Sequence, residues 1–276
     1  MTRIALFQAR TGIDPGANLR DIVDAIGSAA VGGAEMLFTP EMSNLLDSNR
    51  ERARGSIRRE EEDPLLTAVR EAAATSGIWI HLGSLALDAG DHSGRFVNRS
   101  FVIDSSGSIR ARYDKIHLFD VDLPTGESWR ESAAYRGGDV AQVVRDTPVG
   151  TLGLTICYDL RFPTLFSALA EAGADVIAVP AAFTVPSGKA HWHILLRARA
   201  IEAGLFVVAA AQGGSHEDGR QTFGHSLVVD PWGNVLLDAE DRNGVHFADI
   251  DLARIAEVRG QIPALSHRKT IGIVAD

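Results

Sequence analysis

A single cysteine, Cys157, stands in a chain of 276 residues. That scarcity excludes an intramolecular disulfide and any multi-cysteine zinc site, and it fits a reducing compartment. There is no basic excess: the formal net charge is -9 and the acidic residues are scattered. Phosphate binding wants a basic stripe, so a nucleic-acid partner is not expected. Long apolar runs are also missing. The first run, residues 4–7, is shorter than a signal-peptide core of about 7–15 residues, and no later run approaches the roughly 18 of a membrane helix. The expected location is therefore cytoplasmic, with no membrane partner. Gly-x-Gly-x-x-Gly and the phosphate loop ending in Gly-Lys-Ser/Thr are both absent, which removes the usual nucleotide-binding readings.

What remains is ordinary for a soluble globular chain: 45% hydrophobic, 23% charged and 7% aromatic residues. A chain of this length can bury a large core, and it is read as one domain over residues 1–276. Residues 3–9 suggest a strand, and residues 15–30 a helix whose Leu19, Ile22, Val23 and Ile26 form one apolar stripe. Next comes a short apolar strand closed by Pro40-Glu41. Residues 173–181 repeat that pattern, closing on Pro180-Ala181, and each copy follows an apolar-striped helix.

Strand patterns recur at 78–85, 97–104, 108–113, 151–156, 205–211, 226–230, 235–238 and 245–250. Helices are predicted from Pro163 to residue 171, over 190–203 with Gly204 as its stop, and over 251–258. Strands interleaved with helices in a duplicated pattern predict an α/β protein: a four-layer α-β-β-α sandwich with internal pseudo-twofold duplication.

Three positions carry the chemistry. Cys157 ends an apolar strand where a turn opens a helix, a setting whose amides can lower a thiol pKa. Glu41 lies just past a strand-ending proline, where a carboxylate can face a crevice and have its pKa raised by burial. Lys115 ends a strand among apolar neighbours, which would hold its ammonium in place. A nucleophile, a base and an oxyanion stabiliser are what acyl transfer requires.

Two rival motifs fail. His191 and His193 are two apart, and a helix points such residues in different directions, so no shared metal is expected. Gly224-His225-Ser226-Leu227-Val228 lacks the final glycine of a serine-hydrolase elbow and has no helix after it.

Taken together, Pro40-Glu41-Met42, Tyr113-Asp114-Lys115-Ile116-His117-Leu118-Phe119-Asp120 and Ile156-Cys157-Tyr158-Asp159-Leu160-Arg161-Phe162-Pro163 closely resemble, in order and spacing, the three motifs of the nitrilase superfamily of carbon–nitrogen hydrolases. The likeness runs on through Ala190-His191-Trp192, Arg197-Ala198-Arg199-Ala200-Ile201-Glu202, Ala209-Ala210-Ala211-Gln212, Gly224 to Gly233 and Ser266-His267-Arg268, covering nearly the whole chain.

This resemblance implies that Glu41 is the general base, Lys115 the oxyanion stabiliser and Cys157 the nucleophile. It also implies a second glutamate, for which Glu131 in Arg130-Glu131-Ser132 fits better than Glu127. The subgroup it looks most like is that of deaminated glutathione amidases and omega-amidases, which act on small amides of acids bearing a carboxylate, without metal or organic cofactor. Within it, Phe183 and Ser187 match a pocket loop, the backbone N–H of Tyr158 joins Lys115 at the oxyanion, and a homodimer or higher homo-oligomer is implied.

Arg161, four residues after the nucleophile, offers a bidentate cation for a carboxylate; the alternative is a structural ion pair. Many relatives have glutamate where this chain has His193, which predicts altered local hydrogen bonding there. The alternatives to an amidase are an N-carbamoyl acid amidohydrolase with the same triad, a nitrile hydrolase, and a noncatalytic binding member of the family.

Overall fold

The computed structural model describes residues 1–91, 94–122, 126 and 128–272. Its first half runs β1 (Thr2–Gln8), α1 (Pro15–Val31), β2 (Met36–Phe38), α2 (Arg50–Ser56), α3 (Pro64–Ser76), β3 (Trp79–Asp88), β4 (Phe96–Ile103) and β5 (Ile109–Asp114). A small hairpin of β6 (Asp120–Asp122) and β7 (Ser128–Arg130) follows. The second half runs β8 (Gln142–Thr147), β9 (Gly150–Leu154), α4 (Pro163–Glu171), β10 (Val176–Ala178), α5 (Val185–Ala203) and β11 (Phe206–Ala209). A second hairpin, β12 (Gly213–Ser215) with β13 (Gln221–Phe223), precedes β14 (Leu227–Val229), β15 (Val235–Asp238), β16 (Gly244–Ile250) and α6 (Ala253–Gln261).

Among the described residues there are two six-stranded sheets, ordered β16-β1-β2-β3-β4-β5 and β8-β9-β10-β11-β14-β15. They are copies in topology. In each, the second, third and fourth strands are parallel and the outer pairings antiparallel. Each parallel crossover carries a helix: α1 and α3 in the first sheet, α4 and α5 in the second.

Side-chain alternation decides the layers. Ile4, Leu6, Met36 and Phe38 point into the core shared with Leu152, Leu154, Val176 and Ala178 of the other sheet. Ala5, Leu37, Ile80 and Leu82 point the other way, onto Ile22, Ile26, Leu66 and Val69 of α1 and α3. Both faces of the parallel strands are covered, which is why their sequences read as continuous apolar runs. The result is the predicted α-β-β-α sandwich. No helix among the described residues is long and apolar enough to cross a membrane.

Two differences from the sequence reading stand out. Residues 42–77, left unassigned there, contain α2 and α3; Asp63 caps α3 by accepting from the Leu66 amide, Pro64 opens it, and Gly77 closes it at φ 69°. Helix α5 begins at Val185, five residues before the predicted start, because Pro186 sits in a first turn where its missing N–H costs nothing. Ser187 is therefore helical and not part of a loop.

The repeated strand-proline units meet at the centre. Gly83 of β3 passes so close to the first that a Cβ there would lie 2.0 Å from the Thr39 carbonyl oxygen and 2.7 Å from Cβ of Pro180. Gly83→Ala must displace this elbow, and a cost of about 1–3 kcal/mol is expected from such overpacking. Urea unfolding of the variant checks it; an unchanged midpoint would show that the elbow yields freely.

Candidate active site

Parallel strands in an α/β sheet end at a common edge, and side chains just beyond that edge face a shared crevice. Glu41 follows β2, Cys157 follows β9, and Ala182 follows β10. Lys115 follows β5, with its amide paired to the Asn98 carbonyl of β4. These positions converge on one cavity of about 390 Å³, also lined by Glu131, Tyr158, Arg161, Phe183 and Ser187. Every described residue predicted for the site is there. Glu127, the weaker choice for the second glutamate, lies outside the described residues.

The central contact is a buried ion triplet. Lys115 Nζ donates to Glu41 Oε1 at 2.8 Å and to Glu131 Oε2 at 2.9 Å. Glu131 also accepts from the Phe119 amide at 2.7 Å, so it pins the loop after Lys115 as well as the ammonium. Glu41 is held at both oxygens: Asn98 Nδ2 donates to Oε1 at 2.9 Å and the Ala182 amide to Oε2 at 2.9 Å. Its backbone carbonyl accepts from Gln212 at 2.9 Å.

Proton affinities correct two expectations. Burial alone would raise the Glu41 pKa, but the Lys115 charge and hydrogen bonds from Lys115, Cys157 and Asn98 outweigh it and hold the carboxyl below its ordinary range. Burial and the Glu41 charge together push the Cys157 thiol well up, against the smaller pull of Lys115. Burial opposes the Lys115 charge, yet Glu131 and Glu41 keep it firmly protonated. The resting site is thus a neutral thiol hydrogen-bonded to an ionised carboxylate. That is not the arrangement of a preformed thiolate.

The turn that carries Cys157 is built around one carboxylate. Cys157–Arg161 form a 3-10 turn in which Cys157 itself has φ 50°, a left-handed conformation unusual for a residue with a side chain. Asp159, fully buried, accepts from the Ile156 amide at 2.9 Å and the Tyr113 hydroxyl at 2.7 Å on one oxygen. Its other oxygen takes the His117 amide at 3.0 Å and the His117 ring nitrogen Nδ1 at 2.7 Å. Buried Arg199 of α5 donates twice to the Leu160 carbonyl from behind.

Asn98, Asp159 and Arg199 were missed as functional positions. Asn98 left little signal, because it stands beside Arg99 and Ser100 in a β4 of mixed character.

Arg161 has no carboxylate within ion-pair distance among the described residues. Its guanidinium meets His191 Nδ1 at 3.3 Å and lies over the Tyr158 and Phe183 rings. Phe183 packs on Trp192, and Ser187 Oγ bonds Thr184 Oγ1 at 2.8 Å. Exposed Arg50, a cavity residue the sequence did not suggest, bonds only the Arg130 carbonyl.

Residues 3–260 match the carbon-nitrogen hydrolase family. The chain belongs to this family. It is accordingly a hydrolase acting on carbon–nitrogen bonds. Over 269 residues it is 41% identical to a deaminated glutathione amidase of Yersinia enterocolitica, covering 97% of this chain and 93% of the relative.

The crystal structure of the Caenorhabditis elegans NitFhit protein superposes with a TM-score of 0.88 at 37% identity, covering 97% of this chain but 65% of that one. An amidase from Nesterenkonia sp. AN1 superposes with a TM-score of 0.80 at 27% identity over 97% of this chain and 94% of its own. In that structure, a glutamate-to-glutamine mutant, the acetamide moiety of fluoroacetamide is covalently added at the active site cysteine.

Removing the ammonium tests the triplet. Lys115→Met leaves two buried carboxylates uncompensated, a loss of about 3–5 kcal/mol near neutral pH. In the parent, the depressed Glu41 pKa contributes stability that is present above the ordinary glutamate value and lost as pH falls through the folded one. In Lys115→Met, the charge that did most to offset burial is gone, so acid relieves the strain. The stability gap between the two should narrow steadily on acidification, read from urea unfolding at a series of pH values; a constant gap would refute the assignment.

Proposed function

We propose that this chain is a thiol amidase that hydrolyses a small carboxylate-bearing amide, of the deaminated glutathione or omega-amide type, to acid and ammonia. The observation that carries the reading is the convergence of Cys157, Glu41 and Lys115 on one cavity, with Lys115 Nζ 2.8 Å from Glu41 Oε1. The cycle balances on these groups. Glu41 takes the thiol proton as sulfur attacks the amide carbon, while Lys115 Nζ and the Tyr158 amide hold the oxyanion. The proton passes from Glu41 to the leaving nitrogen, and ammonia departs from a cysteinyl thioester. Glu41 then deprotonates water, hydroxide adds to the thioester carbon, and collapse expels the Cys157 thiolate, which recovers its proton from Glu41.

In this reading Glu131 is a positioning residue for Lys115, and one carbon–nitrogen hydrolase unit over residues 1–276 supplies every step without metal or cofactor. Arg161 supports the substrate class: a guanidinium in the cavity wall with no carboxylate partner among the described residues matches a substrate carboxylate. Phe183 and Ser187 complete that wall. The free nucleophilic thiol accords with a cytoplasmic location. A homodimer is supported by exposed Ile194 and Ile201 on α5, which with Trp232 and Ile262 offer an apolar face.

Cys157→Ala is expected to abolish ammonia release with an unchanged circular dichroism spectrum; retained turnover would sink the proposal. A panel of deaminated glutathione, alpha-ketoglutaramate and N-carbamoyl acids sets the class, and a clear ureido preference would favour the carbamoylase alternative. Covalent labelling of Cys157 by an amide-directed electrophile excludes a noncatalytic role.

Arg161→Leu should raise KM for carboxylate-bearing amides by about tenfold to a hundredfold, equivalent to the roughly 1.5–3 kcal/mol of a hydrogen bond to a charged group. Neutral amides such as propionamide should be unaffected. An equal loss on both would mean that Arg161 acts only through the Tyr158 and Phe183 rings.

A further inference from the structure

The two histidines of the His-x-His pair do diverge. His191 meets Arg161, and His193 turns to the opposite side of α5. There the fold supplies what the sequence pair does not. His193 Nε2 lies 2.8 Å from Asp238 Oδ2, and His225 Nδ1 lies 2.9 Å from Asp238 Oδ1. One ligand atom from each of the three residues falls within 4.8 Å of the others.

We propose that His193, His225 and Asp238 form a binding site for a divalent transition-metal ion of the zinc type, fastening α5 to the end of β15.

The chemistry of the donors fits such an ion. Two imidazoles and a carboxylate are a borderline nitrogen–oxygen set, which suits zinc and cobalt better than calcium or magnesium. Around zinc with bonds of about 2.0 Å, neighbouring ligand atoms stand roughly 3.3 Å apart, so small outward shifts from the present contacts admit the ion. In the metal-free form the carboxylate accepts both imidazole N–H groups. On binding, any proton on a ligating nitrogen moves to that ring's other nitrogen or leaves to solvent, so that each ligating nitrogen offers its lone pair to the ion. The three side chains are about a quarter to a third exposed, which leaves a fourth position for water.

The supports behind these donors are already rigid. His225 has φ 55°, its amide donates to the Glu240 carbonyl at 2.8 Å, and its carbonyl accepts from Trp192 Nε1 at 2.8 Å. Its ring stacks on Phe223 with centroids 4.3 Å apart. Asp238 Oδ1 accepts the Glu240 amide at 2.8 Å. Outer contacts of this kind orient metal ligands.

Phe223 also covers Gly188 of α5, where a Cβ would lie 2.2 Å from the ring, and its amide donates to the Phe183 carbonyl. An ion at this point would therefore stiffen the wall that holds Phe183 and Ser187, without touching the reacting atoms.

The experiment titrates Co²⁺ into the chelator-treated full chain carrying Cys157→Ala, which removes the thiol as a competing ligand. One ion per chain is expected, with the intense visible bands of low-coordinate cobalt, displacement by Zn²⁺ and a melting temperature that rises with free metal. His193→Gln and His225→Gln should each weaken binding by about 10–100-fold or more, the scale seen even for lost outer partners. His191→Gln should bind as the parent does. His193→Glu keeps a donor at the same point of the helix and should regain what His193→Gln loses, which separates a lost ligand from a folding defect. The proposal is overturned by a parent without saturable binding, by bands that persist in both glutamine variants, or by no recovery in His193→Glu.

Discussion

An ammonium group buried to 2% exposure is the constraint around which this molecule is arranged. Lys115 is stable there only if carboxylates reach it, and they come from elements far apart in sequence: Glu41 beyond β2 and Glu131 beyond the β6–β7 hairpin. The triplet carries one excess negative charge, which Asn98 and the Ala182 and Phe119 amides spread through hydrogen bonds. Removing the ammonium would leave two carboxylates facing each other without compensation, so the same interaction that holds Glu41 also ties three segments together.

Asp159 performs the matching task for the Cys157 turn. Its four hydrogen bonds join the Cys157 turn in the second sheet to Tyr113 and His117 from the first. The His117 ring lies flat against Phe162 at 3.5 Å, closing the same joint. With Arg199 on its other side, the turn keeps Cys157 in a backbone conformation it would otherwise leave.

Much of this was legible in the sequence, for identifiable reasons. Continuous apolar runs and proline-stopped strands disclosed the duplicated sheets, and the triad positions stood out because each is polar where a strand ends. Helices α2 and α3 did not stand out: residues 50–62 are dense in charge, and the alanines of α3 blur its stripe, although Asp63-Pro64 and Gly77 bracket it. The proton affinities were misread because each residue was weighed alone, Cys157 by its strand end and nearby helix amides and Glu41 by burial, and the sequence does not show that they meet beside Lys115. The cluster at His193 was invisible for a similar reason, since His225 and Asp238 join it only through the pairing of β14 with β15.

The duplication has a consequence for how such a centre can arise. The repeat unit ends in Pro40-Glu41 in one copy and Pro180-Ala181 in the other, and the amide just after the second holds the carboxylate of the first. Cys157 belongs to the second copy and Lys115 to the first. Reactivity is thus a property of the seam and of neither repeat. A chain of half this length would have to pair with a copy of itself to build the same centre. It would then hold two related half-sites, and the single joined chain is free to keep one and let the other lapse.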